Sequence, residues 1–446
     1  MTVRYCRDLL DLVANAGTFI NLIYQSLYVY TSEVDVHLEM FYLRKMMPVL
    51  AWVCLNGVTG LSLLVPPGYR LYSLPIVLTL ATLSFATAHH LGPGFSDTWA
   101  LITVIGFIHF TSLLYVKRWS VRTDRTPLTY AGMKMLCTNM YKISSNPRLV
   151  RLSQNMIVTP QPTQMKSMAR QKPFSPSRIC WLAASIFIGI IVLYFGVNQS
   201  LKSITSQDFG IGKGSSLKYL CHILGWDSFN GLILRETYVR GWFVICFLWP
   251  PIVMLDFIHV TLAVLFTLIL RLDTAEEWPD LFGSIREAYS LSRFWGRYTS
   301  LNIILAMRAD QVHRFWHRIH LSSYTDYTNL LVDCLFPNTA TIMRKLFSTF
   351  VIFLLSGIVH QISSWYLYPE CRDFADVHFY CVNAAIVITE WGAWHLISRT
   401  LDWDLPQALA AHILGYVWVF GVFFFMIPEF YYPRVHCLLN HSHDVQ

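Results

Sequence analysis

The stretch that decides the fold is residues 346–367, which read LFSTFVIFLLSGIVHQISSWYL. These 22 residues contain no Asp, Glu, Lys or Arg. A helix of about 20 apolar residues is long enough to cross the hydrocarbon core of a bilayer. The stretch therefore predicts a transmembrane helix.

The same pattern recurs along the chain, which is 54% hydrophobic and only 14% charged, against about 25% charged residues in soluble domains. Four further runs of similar length are Thr98–Val116, Trp181–Val197, His378–Leu396 and Gln407–Ile427. Three weaker ones are Leu10–Tyr30, Met46–Val65 and Leu71–Ala88. A longer run, Trp242–Leu270, contains Pro250-Pro251 and predicts either a kinked helix or a hairpin. We predict an all-α integral membrane protein with about nine transmembrane helices, and one membrane domain over residues 1–446.

Basic residues concentrate in the polar loop 117–178, which holds twelve Lys and Arg side chains and one acid, Asp124. The positive-inside rule places such a loop in the cytosol. A basic loop between spans is typical of a topology signal that meets anionic lipid headgroups, so we exclude nucleic acid as the partner. Binding of a soluble cofactor's phosphates is the alternative. The ten cysteines are scattered without a CxxC pair and predict buried thiols rather than disulfides or a zinc site.

His360 is the most informative residue of the opening stretch. It lies 14 residues beyond Leu346, or about 21 Å along a helix. An ionisable group at that depth is costly unless it faces a protein cavity. A neutral imidazole there is suited to act as a general base, although it could instead bond to a neighbouring helix in a purely structural role.

The polar block 271–345 is rich in aromatic residues and has balanced charges, which predicts amphipathic helices at the membrane face. It contains LFGS at 281–284, YSLSRFWGR at 289–297 and RFWHR at 314–318. These residues resemble the wax-synthase-like branch of the membrane-bound O-acyltransferases, in particular its fungal secondary-metabolite acetyltransferases. The signature of that branch is Leu-Arg-x-Phe-Trp-Gly-Arg-x-Trp-His, followed some forty residues later by an intramembrane histidine. Here His360 follows His317 by 43 residues.

The resemblance implies roles for individual residues. His360, in the C-terminal spans 346–428, matches the catalytic histidine, and His317 matches its polar partner. Glu390 matches an acidic residue of the next span, while Trp295 and Trp316 are interpreted as packing and headgroup-level anchors. Four arginines close to the motif are candidates for binding the phosphates of acyl-CoA: Arg293, Arg297, Arg314 and Arg318.

One departure from the signature is the stretch from Tyr298 to Arg314. These seventeen residues separate two halves of a motif that is normally continuous. They are either an insertion or a gene-model error such as a retained intron. If they are part of the protein, the geometry around His317 differs from that of the family.

Two other classes of membrane protein have features that can be compared with this sequence. His313 and His317 form an HxxxH pair, with His320 following, but membrane di-iron enzymes need about eight histidines in several boxes, and no HxxHH box occurs. We therefore predict no metal. In a transporter or non-catalytic scaffold, His360, Asp256 and Glu390 would instead line a polar pathway.

The expected activity is transfer of an acyl group from acyl-CoA, with acetyl-CoA favoured, to the hydroxyl of a lipophilic small molecule such as a terpenoid. A long-chain wax-ester synthase is the alternative within the same family. No permanently bound cofactor is expected, and the partners are the two substrates and membrane lipid. The expected location is the endoplasmic reticulum membrane, with several crossings.

Overall fold

The architecture of the chain is seen in a computed structural model. It describes residues 38–92, 95–118, 136–138, 140–141, 205–210, 212–224, 233–273, 278, 287–295, 327–336, 341–400 and 409–444. Within these ranges the protein is mostly helical and has no β-strand, in agreement with the predicted class. The contacts group into two compact units, Met1–Lys166 with Arg318–Leu355 and Ser167–His317 with Ser356–Gln446. A single membrane domain stays a prediction.

The first unit contains helices α1 (Leu38–Ser62), α2 (Leu74–Ala86) and α3 (Phe95–Thr111). A 3₁₀ turn, Pro67–Ser73, precedes α2, and a π turn, Ser112–Val116, extends α3. The core of this unit is formed by Leu55, Val77, Ala81 and Phe110, with Trp52 packed against it. Gly106 permits the close approach, because a Cβ there would overlap the Trp52 ring.

The second unit contains α4 (Ser216–Ile223), α5 (Ile233–Val264), α7 (Ala375–Thr400) and α8 (Leu409–Asp444). Helix α6 (Thr341–Leu367) contributes its residues from Ser356 onward. Shorter elements are the 3₁₀ turns Ser206–Phe209 and Pro369–Cys371, the π turn Leu265–Ile269 and the helical turn Leu291–Arg293. Phe209, Val239 and Tyr432 form one buried cluster of this unit.

Four helical stretches in the described part of the chain are long and apolar enough to cross a membrane: Pro67–Ala86, Phe95–Val116, Ile342–Leu367 and His412–Asn440. They coincide with four of the predicted runs. The total of nine is not established, and the runs Leu10–Tyr30 and Trp181–Val197 lie outside the described residues. Helix α5 passes through Pro250-Pro251 as one helix, so the hairpin alternative is wrong.

The prediction that the cysteines are free thiols is also wrong for Cys334, Cys371 and Cys437, which are disulfide-bonded. Cys371 and Cys437 form a disulfide although they are 66 residues apart in sequence. The bond links the 3₁₀ turn between α6 and α7 to the C-terminal part of α8. Neither cysteine belongs to a short-range motif, so the pairing appears only once the helices are packed.

Candidate active site

His360 meets its partner across the interface between α6 and α7. Its Nε2 lies 2.9 Å from the hydroxyl oxygen of Tyr380, and the two rings are stacked with centroids 5.0 Å apart. Gly357 makes this approach possible, since a Cβ there would lie 3.0 Å from the Cα of Val377 and 3.1 Å from the Cβ of Tyr380. The predicted base is therefore held by a neutral phenol on the adjacent helix.

A polar stripe extends from this pair along both helices. Ser356, His360 and Ser364 follow one another at intervals of four residues on α6, and so share one helix face. On α7, Asp376 and Tyr380 have the same spacing. The hydroxyl of Ser364 donates to Asp376 Oδ2 over 2.8 Å. The stripe thus links the histidine to a buried carboxylate.

That carboxylate belongs to a charged cluster. Tyr431 donates its hydroxyl to Asp376 Oδ1 over 2.8 Å, and Arg434 lies 2.9 Å from Asp376 Oδ2. Arg434 also pairs with Asp373 and donates to the Ser364 hydroxyl over 3.0 Å. Both Asp376 and Arg434 are near enough to His360 for electrostatic interaction. Two carboxylates against one guanidinium give this cluster a net negative charge.

Trp295 packs beside Tyr380, the partner of His360. The residue is buried, its ring centroid lies 5.9 Å from that of Tyr380, and its indole N–H donates to Asn383 Oδ1 over 2.9 Å. The signature tryptophan thus packs against the residue that holds His360. The packing role of Trp295 remains a prediction, and the residue lies beside the candidate site.

Glu390 holds the segment that carries the first half of the signature. Its carboxylate accepts from the backbone N–H groups of Leu291, over 3.0 Å, and Ser292, over 2.7 Å. It also accepts from the indole N–H of Trp418 over 3.1 Å. A carboxylate at the first N–H groups of a helical turn compensates donors that have no partner within the turn. Glu390 therefore positions the backbone that leads to Trp295.

Glycine allows the same segment to lie directly against α8. A Cβ at Gly415 would overlap the carbonyl oxygen of Tyr289. The guanidinium of Arg293 lies 4.3 Å from the ring centroid of Tyr289 and pairs with Glu287 at 2.9 Å. Arg293 is thus near the site and already has a carboxylate partner.

Several predicted residues lie outside the described part of the chain: Arg297, Arg314, Trp316, His317 and Arg318. The histidines of the weighed metal motif, His313 and His320, lie there as well. Within the described ranges, no three His, Cys, Asp or Glu side chains are grouped to hold a metal ion.

Sequence reasoning missed Tyr380, Asp376 and Arg434. The two charged residues carried a signal, because an ionisable residue beside or within a span marks a protein-facing position. Tyr380 carried none, since tyrosine is common in membrane proteins and its contact with His360 depends on how α6 and α7 are aligned.

Comparison with known proteins places this site in a recognised segment. Residues 313–382 match the family model described as "Membrane bound O-acyl transferase family". The segment includes His360, Asp376 and Tyr380. The resemblance predicted from the motifs is confirmed.

The curated relatives are fungal acetyltransferases. Acetyltransferase spyB of Aspergillus fumigatus is 27% identical over 161 residues, which cover 33% of this chain and 24% of the relative. Acetyltransferase atnC of Arthrinium sp. is 24% identical over 210 residues, covering 45% and 43%. Acetyltransferase sirH of Emericella nidulans is 30% identical over 149 residues, covering 33% and 30%. The matched segments span less than half of each relative, and no solved structure matches the chain.

Proposed function

We propose that this protein is a membrane-bound O-acyltransferase that moves an acyl group, with acetyl favoured, from acyl-CoA to a hydroxyl of a lipophilic acceptor. The observation that carries the proposal is His360, which lies in a helix suited to cross the membrane and bonds through Nε2 to the neutral hydroxyl of Tyr380. The names of the fungal relatives favour acetyl as the transferred group. The family resemblance favours a terpenoid or related secondary metabolite as the acceptor.

The contact with Tyr380 is proposed to determine which nitrogen of His360 acts as the base. The Tyr380 hydroxyl also hydrogen-bonds Ser356. When its proton points to Ser356, its oxygen accepts the Nε2–H of His360, which leaves the lone pair on Nδ1. Nδ1 is then the atom that takes the acceptor's proton, and Tyr380 is a positioning residue.

The reaction needs a group that removes the acceptor's proton and then returns it to the departing thiolate, and His360 can do both. His360 Nδ1 removes the hydroxyl proton as the acceptor oxygen attacks the thioester carbonyl, which forms a tetrahedral oxyanion. Collapse of the oxyanion breaks the carbon–sulfur bond, and the imidazolium returns the proton to the departing CoA thiolate. A thiol with a pKa of about 8.5 leaves readily, so proton transfer and positioning suffice.

The charged cluster supports the transient imidazolium. His360 becomes positive after it takes the proton, and Asp376 is near enough to interact with it electrostatically. Arg434 and Tyr431 hold Asp376 in place. A fixed carboxylate beside a histidine that becomes charged lowers the energy of the charged state.

The remaining roles come from the family resemblance. His317 is the proposed donor to the oxyanion, and the four arginines are the proposed partners of the CoA phosphates. For Arg293, binding of a phosphate would compete with the pair that it forms with Glu287. A guanidinium and a phosphate form strong charge-assisted hydrogen bonds, which makes this exchange feasible.

The proposed setting is the endoplasmic reticulum membrane, crossed by about nine helices. The Cys371–Cys437 disulfide supports it, because disulfides persist in oxidising compartments such as the lumen of this organelle. The end of the second unit that carries the bond would then face the lumen, while the basic loop 117–178 would face the cytosol.

The test uses microsomes from a heterologous host that expresses the chain. They are incubated with labelled acetyl-CoA or palmitoyl-CoA, together with hydroxylated terpenoids or hexadecanol, and the organic-soluble esters are extracted. We expect label from acetyl-CoA in a terpenoid ester. Transfer of palmitate to hexadecanol alone would favour the wax-ester alternative, and no transfer from either thioester would contradict the proposal.

A further inference from the structure

A separate cavity of about 50 Å³ lies among charged residues of the second unit. It is bounded by the 3₁₀ turn Ser206–Phe209, the first turns of α5 and the C-terminal half of α8. Its lining residues are Asp208, Lys213, Arg235, Glu236, Val239 and Tyr432. One water needs about 10–15 Å³ of such space, so the cavity has room for a group of several heavy atoms.

The acceptor groups of the cavity are already occupied. Asp208 receives hydrogen bonds from Arg235 Nε at 2.9 Å, from Arg235 Nη2 at 2.8 Å and from the Thr205 N–H at 2.8 Å. Burial raises the pKa of Asp208, but these hydrogen bonds outweigh burial and hold the pKa below its ordinary value. Glu236 accepts from Arg240 Nε at 3.1 Å. Both carboxylates are therefore paired with arginines.

The donor groups are not all occupied. The Tyr432 side chain lines the cavity and is only 1% exposed, yet its hydroxyl has no hydrogen-bond partner. Arg240 does not line the cavity but lies behind Glu236 and is fully buried; its Nη2 donates to the carbonyls of Lys213 and Ser215, while its Nη1 has no partner. Buried donors without partners are rare, because each costs about 1–3 kcal/mol.

The charged residues around the cavity, like its unused donors, favour an anionic occupant. The pairs Arg235–Asp208 and Arg240–Glu236 cancel each other. Lys213 is then the cation that remains, since its ammonium group pairs with no carboxylate in the described ranges. Arg240 lies behind the lining, and the lining residues together with Arg240 carry one excess positive charge. Lys213 and Tyr432 are the unused donors of the lining, so the cavity favours an occupant with acceptor oxygens and a negative charge.

We propose that this cavity binds a phosphate-type oxyanion, with Lys213 and Tyr432 as its donors. Water fits less well, because a water molecule adds no negative charge to offset Lys213. The phosphate comes either from a phospholipid headgroup or from free phosphate. The predicted apolar run Gln407–Ile427 ends five residues before Tyr432, which favours the lipid as the source of the phosphate.

The test follows the melting temperature of the full-length protein, purified in a phosphate-free maltoside detergent, by tryptophan fluorescence. Inorganic phosphate, dioctanoyl phosphatidylglycerol and dioctanoylglycerol are titrated separately at constant ionic strength set with chloride. The variants are Lys213→Met and Tyr432→Phe, with Lys218→Met as the matched control. Lys218 lies in the same segment but does not line the cavity.

We expect a saturable rise of about 2–4 °C in the wild type and in Lys218→Met. The half-saturating concentration should increase at least about fivefold in the other two variants, which corresponds to loss of one hydrogen bond. A rise with the phospholipid alone assigns the headgroup, and a rise with inorganic phosphate alone assigns the free ion. An equal rise with dioctanoylglycerol, or unchanged binding in Lys213→Met and Tyr432→Phe, would overturn the proposal.

Discussion

Three arginines are buried in the described part of the chain, and two of them, Arg70 in the first unit and Arg434 in the second, have different surroundings. Arg70 in the first unit is 1% exposed and donates to the main-chain carbonyls of Leu63, Val65 and Leu114. Arg434 in the second unit is 9% exposed and pairs with two carboxylates, Asp373 and Asp376. Arg70 thus supplies donors to carbonyl groups at the ends of helical segments, whereas Arg434 compensates the carboxylates of the cluster near His360.

The comparison shows which buried charge points to function. Ionisable residues within membrane spans are taken as functional candidates by default. Arg70 has a sufficient structural explanation, because carbonyl groups at helix C-termini need donors and attract cations. Arg434 stabilises a carboxylate that interacts with the proposed base, so its loss should affect catalysis as well as folding.

The largest effect is expected from Arg434→Met, which leaves Asp373 and Asp376 without their cation. Breaking a buried ion pair from one side costs about 3–5 kcal/mol. We expect a large loss of monodisperse protein in detergent and a lower melting temperature. Adding Asp373→Asn restores the original net charge of the cluster and should recover part of the yield. An Arg434→Met protein as stable as the wild type would contradict the claim that Arg434, unlike Arg70, compensates buried charges.

Arg70→Met should destabilise less, by about 1–3 kcal/mol, because it leaves carbonyl groups rather than charges without partners. The rate of acetyl transfer per folded molecule should equal that of the wild type. The melting temperature checks the predicted loss of stability, and the transfer rate per folded molecule checks the predicted lack of effect on activity. A reduced normalised rate would mean that the first unit's arginine also supports the site.

Tyr380→Phe removes the partner of His360 Nε2 without changing the ring. We expect kcat to fall about tenfold, with KM for acetyl-CoA within about twofold. The acid limb of the rate profile should move to lower pH, because the lost oxygen accepts a hydrogen bond that is stronger when the imidazole is charged. An unchanged profile, or a shift to higher pH, would contradict the proposed tautomer.

Two controls accompany this variant. Tyr219→Phe removes another hydroxyl from a buried tyrosine, one that bonds Thr237 at 2.6 Å away from His360, and should leave the profile unchanged. NMR of isotope-labelled histidine nitrogens, with His360→Gln used for assignment, should find the proton of His360 on Nε2. This readout needs no activity, so it separates failure of the tautomer from failure of the enzymatic proposal.

The smallest effect is expected from Ser364→Ala. Ser364 connects Arg434 to Asp376, and loss of a neutral hydroxyl costs about 0.5–1.5 kcal/mol. Ser62→Ala, which removes a hydroxyl bonded to the Val58 carbonyl in the first unit, is the matched control. Ser364→Ala should slow transfer a few-fold while Ser62→Ala does not. Equal rates would place the charged cluster outside the mechanism.

The sequence predicts the helices but not their pairing. Apolar runs are a local property, so Phe95–Val116 and Ile342–Leu367 appear near their predicted bounds. Contacts between distant residues have no local signal. Glu390 was a candidate from family resemblance, and its bonds to Leu291 and Ser292, about a hundred residues earlier, explain why an acid is needed there.

The same limit applies to the site and to the disulfide. His360 was identifiable because a titratable residue interrupts an apolar run. Its contact with Tyr380 depends on the close helix crossing at Gly357. The scattered cysteines without a CxxC pair predict thiols, and only the packing of α8 against the turn between α6 and α7 brings Cys371 and Cys437 together.

The central claim is that His360 is the base for acyl transfer, and His360→Ala tests it most directly. The measurement is the initial rate of acetyl transfer in microsomes that contain equal amounts of folded wild type, His360→Ala or His378→Ala. His378 is an exposed histidine on α7 and serves as the control. We predict a loss of about 10² to 10⁴ for His360→Ala and none for His378→Ala. Retention of more than about a tenth of the rate by His360→Ala would contradict the account.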